Sequence, residues 1–354
     1  MEYWISLLQK QMALYPKMQL SDIIKLAYQH TLGTEHAVIS SQQSLLWLEE
    51  ELAALKPQSQ NGFDDIGGGF CRLHLGGLTE QGLSPVTLNA MFVATSRASC
   101  GNRQLLAQLL RQVPLLCQNG VLPFDGTLAK ETIEEYIASG CPAVHHSPQF
   151  RAAYAPAYRV IRQEFVHALP LFCAIDAAMS QKQKLLVAID GNSGGGKSTL
   201  GRLLSQVYSC NVFHMDDYFL QLHQRTPQRF AQAGGNIDHE RFAAEILAGV
   251  QSGRPFVWRR FDCSQMALGQ EVLAEPKPLT IVEGVYSLHP ALAKAYDLKV
   301  FVSIDPALQS SRILARNGEA IHRRFMEEWI PLENRYFAEC KIQQQCHLVL
   351  QARA

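Results

Sequence analysis

The chain has 354 residues, 47% of them hydrophobic and 18% charged, so it is long enough for two globular domains and is not expected to be disordered. Its 32 basic and 32 acidic residues balance, which argues against a nucleic-acid or membrane-surface partner. The start at Met1 lacks the features of a signal peptide, and no stretch reaches the ~20 apolar residues that span a membrane. The nine cysteines form no C-x-x-C pair, so a cytoplasmic chain with reduced thiols is expected.

Residues 1–180 have the pattern of a mainly α-helical accessory domain. Apolar residues recur at helical spacing over residues 5–14, 20–30, 44–55, 84–94, 104–118, 128–138 and 157–179, which predicts helices there. Gly67, Gly68 and Gly69 resemble part of a phosphate loop but lack its lysine and have no predicted strand before them, so a flexible hinge is predicted. The short polar connector 180–184 predicts a boundary between domains 1–180 and 181–354.

From residue 184 the pattern changes to strands that alternate with helices. Strands are predicted over residues 185–189, 212–215, 279–282, 299–304 and 347–350, and helices over 197–208, 239–251, 306–316 and 319–344. Asp238 and Asp305 stand where helix N-caps belong. This alternation predicts an α/β domain, a parallel sheet with helices on both faces.

The first predicted strand of this domain runs into the pattern G-x-x-x-x-G-K-S, and a predicted helix follows. Glycines allow the backbone to coil so that its N–H groups bind phosphate, the lysine reaches the β- and γ-phosphates, and the serine hydroxyl binds Mg²⁺. The pattern therefore predicts a nucleoside triphosphate site. Its residues are Gly191, Asn192, Ser193, Gly194, Gly195, Gly196, Lys197, Ser198 and Thr199.

Acidic residues follow two other predicted strands. Asp216 and Asp217 come directly after residues 212–215, and Glu283 ends the strand over 279–282. In an open α/β sheet, ligands gather beyond the carboxyl ends of the strands, so a general base at Asp216 or Asp217 and a Mg²⁺ ligand at Glu283 are predicted. We favour Asp216 as the base. The alternatives are that Asp216 or Asp217 only caps a turn and that Glu283 is an ordinary acid at a strand end.

Arginines that could neutralise a transferring phosphoryl group surround the predicted break at Asn317-Gly318. They are Arg312, Arg316, Arg323 and Arg324. At least one of them is predicted to reach phosphate, although a solvated surface charge is the favoured interpretation for any single one.

Residues 184–354 resemble the uridine kinase and phosphoribulokinase group of P-loop kinases. The resemblance rests on the phosphate loop and on the segments 214–219, 235–239 and 282–290. It implies ATP and Mg²⁺ as cofactors and phosphoryl transfer to a hydroxyl group of a small metabolite, with Asp216 as catalytic base and Glu283 acting with Mg²⁺. It also implies acceptor binding by Asp216, Tyr218, Asp238, His239 and Arg259, and lid arginines at Arg312 and Arg316. Members commonly have Arg-Asp in the lid where this chain has Arg316-Asn317, so the charge of the lid differs.

The acceptor is not determined by this resemblance, because the group acts on nucleosides, sugar phosphates, pantothenate and glycerate. Arginines at 225, 229, 241 and 259–260 mildly favour an anionic acceptor, while Phe256, Trp258 and Phe261 are candidates for stacking on a nucleoside. The preference for ATP or GTP and the formation of a homo-oligomer are left open.

The alternative function is a nucleotide-driven ATPase or switch, in which the P-loop half regulates residues 1–180. Within those residues, His30, His36 and His74 match no strong metal motif, so a metal site is the less favoured interpretation. The segment 141–159 contains histidines, arginines and tyrosines that could bind an anion or a nucleotide phosphate. A solvated loop leading into a helix is the simpler interpretation.

Overall fold

The structure is a computed structural model that describes residues 2–34, 38, 40–55, 60, 62–98 and 101–353. The chain divides into two compact units, Met1–Cys173 and Ala174–Ala354. Within the described ranges, no helix is long and apolar enough to cross a membrane. The eight cysteines in these ranges are free thiols, and Cys100 lies outside them.

The N-terminal unit is built from helices and one small sheet. Its helices are α1 (Glu2–Leu14), α2 (Leu20–Leu32), α3 (Ser41–Ala53), α4 (Pro85–Ala98), α5 (Arg103–Leu110), α6 (Val113–Gln118), α7 (Gly126–Ala138), α8 (Pro148–Tyr154) and α9 (Gln163–His167), followed by α10 (Leu169–Met179), in which the division between units falls. Its strands β1 (Phe63–Gly67), β2 (Phe70–His74) and β3 (Tyr158–Arg162) form an antiparallel sheet in that order. Trp4, Leu8, Ile23 and Leu26 are buried in its core.

Two predictions for this unit are wrong. The predicted helix over 157–179 begins as strand β3, because residues 158–162 pair with β2 from His74 to Phe70. The glycine run is not a hinge but the turn of the β1–β2 hairpin. Gly68 has φ +60°, and a Cβ there would lie 1.8 Å from the carbonyl oxygen of His30, so only glycine fits.

The C-terminal unit is an α/β domain with a parallel sheet of five strands. The strands of this sheet are β4 (Leu185–Gly191), β5 (Cys210–His214), β8 (Leu279–Glu283), β9 (Leu298–Ser303) and β10 (Leu348–Gln351). Their spatial order is β10-β9-β4-β8-β5. Strands β6 (Phe256–Asp262) and β7 (Ala267–Ala274) form a separate antiparallel hairpin. The helices are α11 (Lys197–Val207), α12 (Pro227–Phe230), α13 (His239–Phe242), α14 (Ala248–Ser252), α15 (Pro306–Arg324) and α16 (Ile330–Glu339). A π-turn over Ala243–Leu247 joins α13 to α14, and another over Phe325–Trp329 joins α15 to α16.

The burial of the central strands explains why their sequence reads as continuous apolar runs. All residues of β4 and β8 are buried, as expected for parallel strands covered on both faces. All five predicted strands of the sheet are confirmed. The β6–β7 hairpin was not predicted, because β7 is mostly exposed and its apolar residues do not recur at the spacing typical of a half-buried strand.

The helical segment after β9 breaks where the sequence predicts. Asp305 caps α15 by accepting hydrogen bonds from the N–H groups of Ala307 and Leu308. Gly318 has φ +75° and non-helical geometry inside α15, which confirms the predicted break at Asn317-Gly318. This unit therefore has a five-stranded parallel α/β fold, and the helical segment after β9 is kinked at Gly318.

Candidate active site

The phosphate loop joins β4 to α11. Gly191 ends β4 with φ +134°, and a Cβ there would lie 2.1 Å from the carbonyl oxygen of Val302 on β9, so only glycine fits. The N–H of Asn192 donates to the same oxygen at 3.1 Å. The beginning of the loop is therefore tied to β9, at the carboxyl edge of the sheet, where the strand order reverses and open α/β sheets bind their ligands.

Lys197 begins α11 and lies over the loop. Its side chain is buried, and Nζ donates to the carbonyl oxygens of Gly191 at 2.8 Å and Asn192 at 3.0 Å. Ser198 and Thr199 follow in the first helical turn and are exposed. A cation and two hydroxyls thus lie at the N-terminus of a helix, whose dipole also favours an anion.

Distant residues fix the backbone of the loop. The Glu333 carboxylate accepts from the N–H of Ser193 at 3.1 Å and from its hydroxyl at 2.5 Å, and Gln309 Nε2 donates to the Ser193 carbonyl at 2.9 Å. Arg312 Nη1 donates to the Gly194 carbonyl at 3.1 Å. Burial raises the pKa of Glu333, while its bonds from Ser193 oppose that rise. The sequence carries no motif for Glu333 or Gln309, because each lies more than a hundred residues from the loop.

The arginines around the break at Asn317-Gly318 differ in position. Arg312 reaches the phosphate loop, as just described. Arg316 is exposed and its Nε donates to Asn317 Oδ1 at 2.8 Å. Arg324 lines the cleft described below, where its guanidinium lies 4.8 Å from the centre of the Trp329 ring.

The predicted acids lie at the ends of neighbouring strands. His214 and Glu283 are register partners at the ends of β5 and β8, and His214 Nδ1 bonds the buried Glu283 carboxylate. That hydrogen bond raises the pKa of His214. Asp216 and Asp217 follow β5 in the short 3₁₀ turn Met215–Tyr218. Four titratable groups are therefore concentrated at the carboxyl ends of β5 and β8.

Asp216 and Asp217 have different surroundings. Asp216 is open to the cleft but surrounded by protein on its other sides, and this loss of hydration raises its pKa. Glu283 and Asp217 raise it further, and Lys197 opposes them. Asp217 Oδ2 lies 3.6 Å from Arg260 Nε. Of the two, only Asp216 lines the cleft in the part of the chain that the structure describes.

A cleft of about 690 Å³ lies against the loop, a volume typical of small-molecule sites. Ser193 of the phosphate loop and Asp216 both line it. Its other walls are largely apolar and aromatic with a few charged groups, and include Phe219, Leu220, Arg225, Phe230, Tyr286, Arg324, Phe325, Trp329, Leu332 and Glu333. A small molecule held there could present a group to the loop and to Asp216 together.

The other predicted acceptor residues make supporting contacts. Tyr218 is fully buried and its hydroxyl donates to Glu245 at 3.0 Å. Asp238 is buried and caps α13 by accepting from the N–H of Arg241 at 3.1 Å. His239 stacks on His289 with ring centres 4.1 Å apart, and the Arg259 N–H donates to Glu245 at 3.1 Å. None of these four predicted residues is among the described residues that line the cleft, so their binding of an acceptor stays a prediction.

Most arginines considered for an anionic acceptor are engaged within the protein. Arg229 pairs with Glu240 at 2.6 Å and donates to two backbone carbonyls. Arg241 bonds Glu245 and lies 3.9 Å from the centre of the Tyr218 ring. Trp258 and Phe261, proposed for stacking, are buried in the core. The aromatic surfaces of the cleft come instead from the segments after β5, β8 and α15.

Asp190, which the sequence pattern did not indicate as functional, connects β4 with the segment after β8 and with α16. It is fully buried in β4 and accepts from the N–H groups of Gly191 (2.7 Å), Tyr286 (3.2 Å) and Leu288 (2.9 Å) and from the Tyr336 hydroxyl (2.8 Å). Burial raises its pKa and these bonds lower it. The one available signal was an acid at the end of an otherwise apolar strand.

We expect Asp190→Ala to destabilise the protein by about 2–4 kcal/mol, because three buried N–H groups lose their acceptor. Tyr336→Phe, which removes one donor and leaves the carboxylate, should cost about 1–2 kcal/mol. Urea unfolding measures both free energies. Equal losses in the two variants would contradict a network centred on Asp190.

The candidate sites of the N-terminal unit are mostly internal networks. His30 Nδ1 bonds the Ile66 carbonyl at 2.9 Å, and His74 Nε2 lies 3.3 Å from Asp64 Oδ2. His36 lies outside the described residues, within which no three His, Cys, Asp or Glu side chains are grouped as for a metal ion. His146 is buried between Asp22 (2.8 Å) and the Tyr158 hydroxyl (2.6 Å), and burial lowers its pKa to about 4. This part of the segment 141–159 is therefore interior and not a solvated loop.

The sheet order, the phosphate loop and the acids at neighbouring strand ends define the C-terminal unit as a P-loop α/β domain. No protein-family model matches the chain, and no curated protein does.

Solved structures with some similarity to about half of the chain are named as kinases. A possible uridine kinase from Bacillus stearothermophilus has 19% identity, a TM-score of 0.42, and coverage of 53% of this chain and 100% of its own. A protein described as a fructose transport system kinase from Silicibacter sp. TM1040 has 20% identity, a TM-score of 0.38, and coverage of 47% and 89%. Shikimate kinase from Bacteroides thetaiotaomicron has 16% identity, a TM-score of 0.27, and coverage of 48% and 86%.

Proposed function

We propose that this protein transfers the γ-phosphoryl group of ATP to a hydroxyl group of a small metabolite. The observation that carries the proposal is that Ser193 of the phosphate loop and the Asp216 carboxylate line one cleft. An acceptor in this cleft can direct its hydroxyl toward a triphosphate on the loop while Asp216 faces the same hydroxyl. A nucleotide switch needs no acceptor cleft of this size beside its loop.

In the proposed reaction, Asp216 takes the proton of the acceptor hydroxyl as that oxygen bonds the γ-phosphorus. The bond between the γ-phosphorus and the bridging oxygen breaks, and ADP leaves with the bonding electrons. Lys197 and the N–H groups of the loop hold the phosphate oxygens. Arg324, at the cleft, is suited to the charge of the transferring group.

The residues present fit a Mg²⁺–nucleotide complex. Ser198 and Glu283 supply the oxygen donors that Mg²⁺ prefers, and one or two protein ligands suffice because phosphates and waters complete its coordination. Bound there, Mg²⁺ neutralises charge on the phosphate oxygens. Through its bond to His214, the Glu283 carboxylate keeps a fixed orientation.

The walls of the cleft favour an acceptor with a planar or apolar body. Phe219, Phe230, Phe325 and Trp329 present aromatic surfaces. Arg225 also lines the cleft, although its Nε donates to the Leu220 carbonyl at 3.0 Å. Among the classes that the sequence left open, a nucleoside- or pantothenate-like acceptor fits these walls better than a sugar phosphate.

The proposal is tested by measuring ADP release from Mg-ATP with a panel of acceptors that includes nucleosides, pantothenate, glycerate and sugar phosphates. We expect one class to stimulate ADP release and to be recovered as its phosphate ester. The ester is the decisive readout, since it shows where the phosphoryl group went. A steady release of ADP and free phosphate that no acceptor changes would favour the ATPase or switch.

A further inference from the structure

The N-terminal unit contains a cavity of about 270 Å³ that no part of the proposed reaction uses. It lies among α2, α3, α4, β3 and residues 143–144, and its walls include Lys25, Gln29, Trp47, Phe92, Tyr158 and Arg159. A dry apolar cavity of ~150 Å³ accommodates benzene. This one therefore has room for an aromatic ring and a small polar group, but not for a nucleotide.

Lys25 gives the cavity a cation without a paired acid. Its Nζ donates to the Val144 carbonyl at 2.9 Å, and within the described residues this is the hydrogen bond that its ammonium makes, with no carboxylate oxygen in ion-pair range. Burial lowers the pKa of Lys25 to about 8, and the nearby Arg72 adds to the effect while Asp22 opposes it. An anion in the cavity would offset this cost.

The second cation of the cavity already has a partner. Arg159 Nη1 donates to Glu51 at 2.6 Å, and the Arg159 guanidinium lies 5.7 Å from the centre of the Phe92 ring. Of these two cations, Arg159 therefore has an ion-pair partner, whereas Lys25 has no carboxylate in ion-pair range among the described residues. A monoanion matches the single charge of Lys25 better than a phosphate dianion does.

Two further groups suit a ligand that has both a polar and an apolar part. Thr34 lines the cavity, and its buried hydroxyl has no hydrogen-bond partner among the described residues. The ring of Trp47 is 48% exposed, unlike most large apolar side chains of this unit. Buried hydroxyls are usually bonded, and aromatic rings at such sites form the walls that hold planar ligands.

We propose that the N-terminal unit binds a small aromatic carboxylate in this cavity, with its carboxylate on the Lys25 ammonium and its ring between Trp47 and Phe92. Such a ligand supplies the missing negative charge, covers the exposed ring and fits the available volume. The segment 141–159, for which the sequence left anion binding open beside the simpler interpretation of a solvated loop, then contributes through Val144, Tyr158 and Arg159. The proposal is independent of the proposed phosphoryl transfer.

The test is calorimetric titration of the full chain with indole-3-acetate and with its neutral counterpart indole-3-acetamide. We expect the carboxylate to bind with a dissociation constant of roughly 0.1–1 mM and the amide at least ~10-fold more weakly. Lys25→Met should weaken the carboxylate by ~10-fold or more and leave the amide unchanged. Lys10→Met, at an exposed lysine of α1, is the matched control.

A second pair of variants separates loss of the site from loss of folding. Ala143 is exposed at the cavity wall, so Ala143→Trp should fill the cavity and abolish binding without changing the thermal unfolding midpoint. Ala152→Trp, at an exposed position of α8, should leave binding intact. Equal affinity for acid and amide, full binding by Lys25→Met, or no binding by the wild type at about 1 mM would overturn the proposal.

Discussion

Asp216→Asn should slow phosphoryl transfer by about 10²–10⁴-fold and leave the affinity for ATP nearly unchanged, because a general base acts on the acceptor hydroxyl and not on the bound triphosphate. Asparagine keeps the size of the side chain but cannot take the proton. The rate of ester formation at saturating ATP and acceptor measures the first quantity. Titration with a fluorescent ATP analogue measures the second.

The matched control is Asp217→Asn, one residue further along. Asp217 faces Arg260 and does not line the cleft in the described part of the chain, so its removal should cost far less activity. Full activity of Asp216→Asn would remove Asp216 from the mechanism. A larger loss in Asp217→Asn would transfer the role of base to that residue.

The pH profile provides a further check on this assignment. Asp216 has a raised pKa, so kcat/KM should fall with decreasing pH at values above those of an ordinary aspartate, near 3.9. Asp217 contributes to that rise through its negative charge. In Asp217→Asn, ionisation of Asp216 becomes easier, so the acidic limb should move to lower pH.

Lys197→Met should lower kcat/KM for ATP by roughly 10²–10³-fold, the effect typical of removing one hydrogen-bond donor that stabilises developing negative charge. The Nζ atom of Lys197 donates to the carbonyl oxygens of Gly191 and Asn192, both within the loop. The proposal requires these bonds to be exchanged for phosphate oxygens when ATP binds. Steady-state kinetics with ATP varied at fixed acceptor measure the effect, and Lys294→Met, an exposed lysine of the same unit, is the control.

The two variants separate binding of the donor from chemistry at the acceptor. Lys197→Met should weaken binding of the triphosphate, whereas Asp216→Asn should not. Similar ATP affinity in the wild type and in Lys197→Met, together with unchanged turnover, would contradict the assignment of Gly191–Ser198 as the nucleotide site.

The sequence by itself determined the features that depend on neighbouring residues. Gly191, Gly196 and Lys197 stand at fixed spacing between a buried strand and a helix, so the backbone of the loop follows from local conformational preferences. The positions of Asp216 and Glu283 also follow from the sequence, because the carboxyl ends of parallel strands lie at one edge of the sheet.

Only the tertiary structure decided the features that depend on packing between distant segments. Residues 158–162 form a strand because β2 lies beside them, although their apolar pattern equally suits a helix. Glu333 supports Ser193 from 140 residues away, and Tyr218 and Asp238 turn inward to Glu245 and α13 instead of lining the cleft. Distant segments that pack against a polar side chain decide whether it faces a ligand or a partner within the protein. The spacing of residues along the chain does not reveal those contacts.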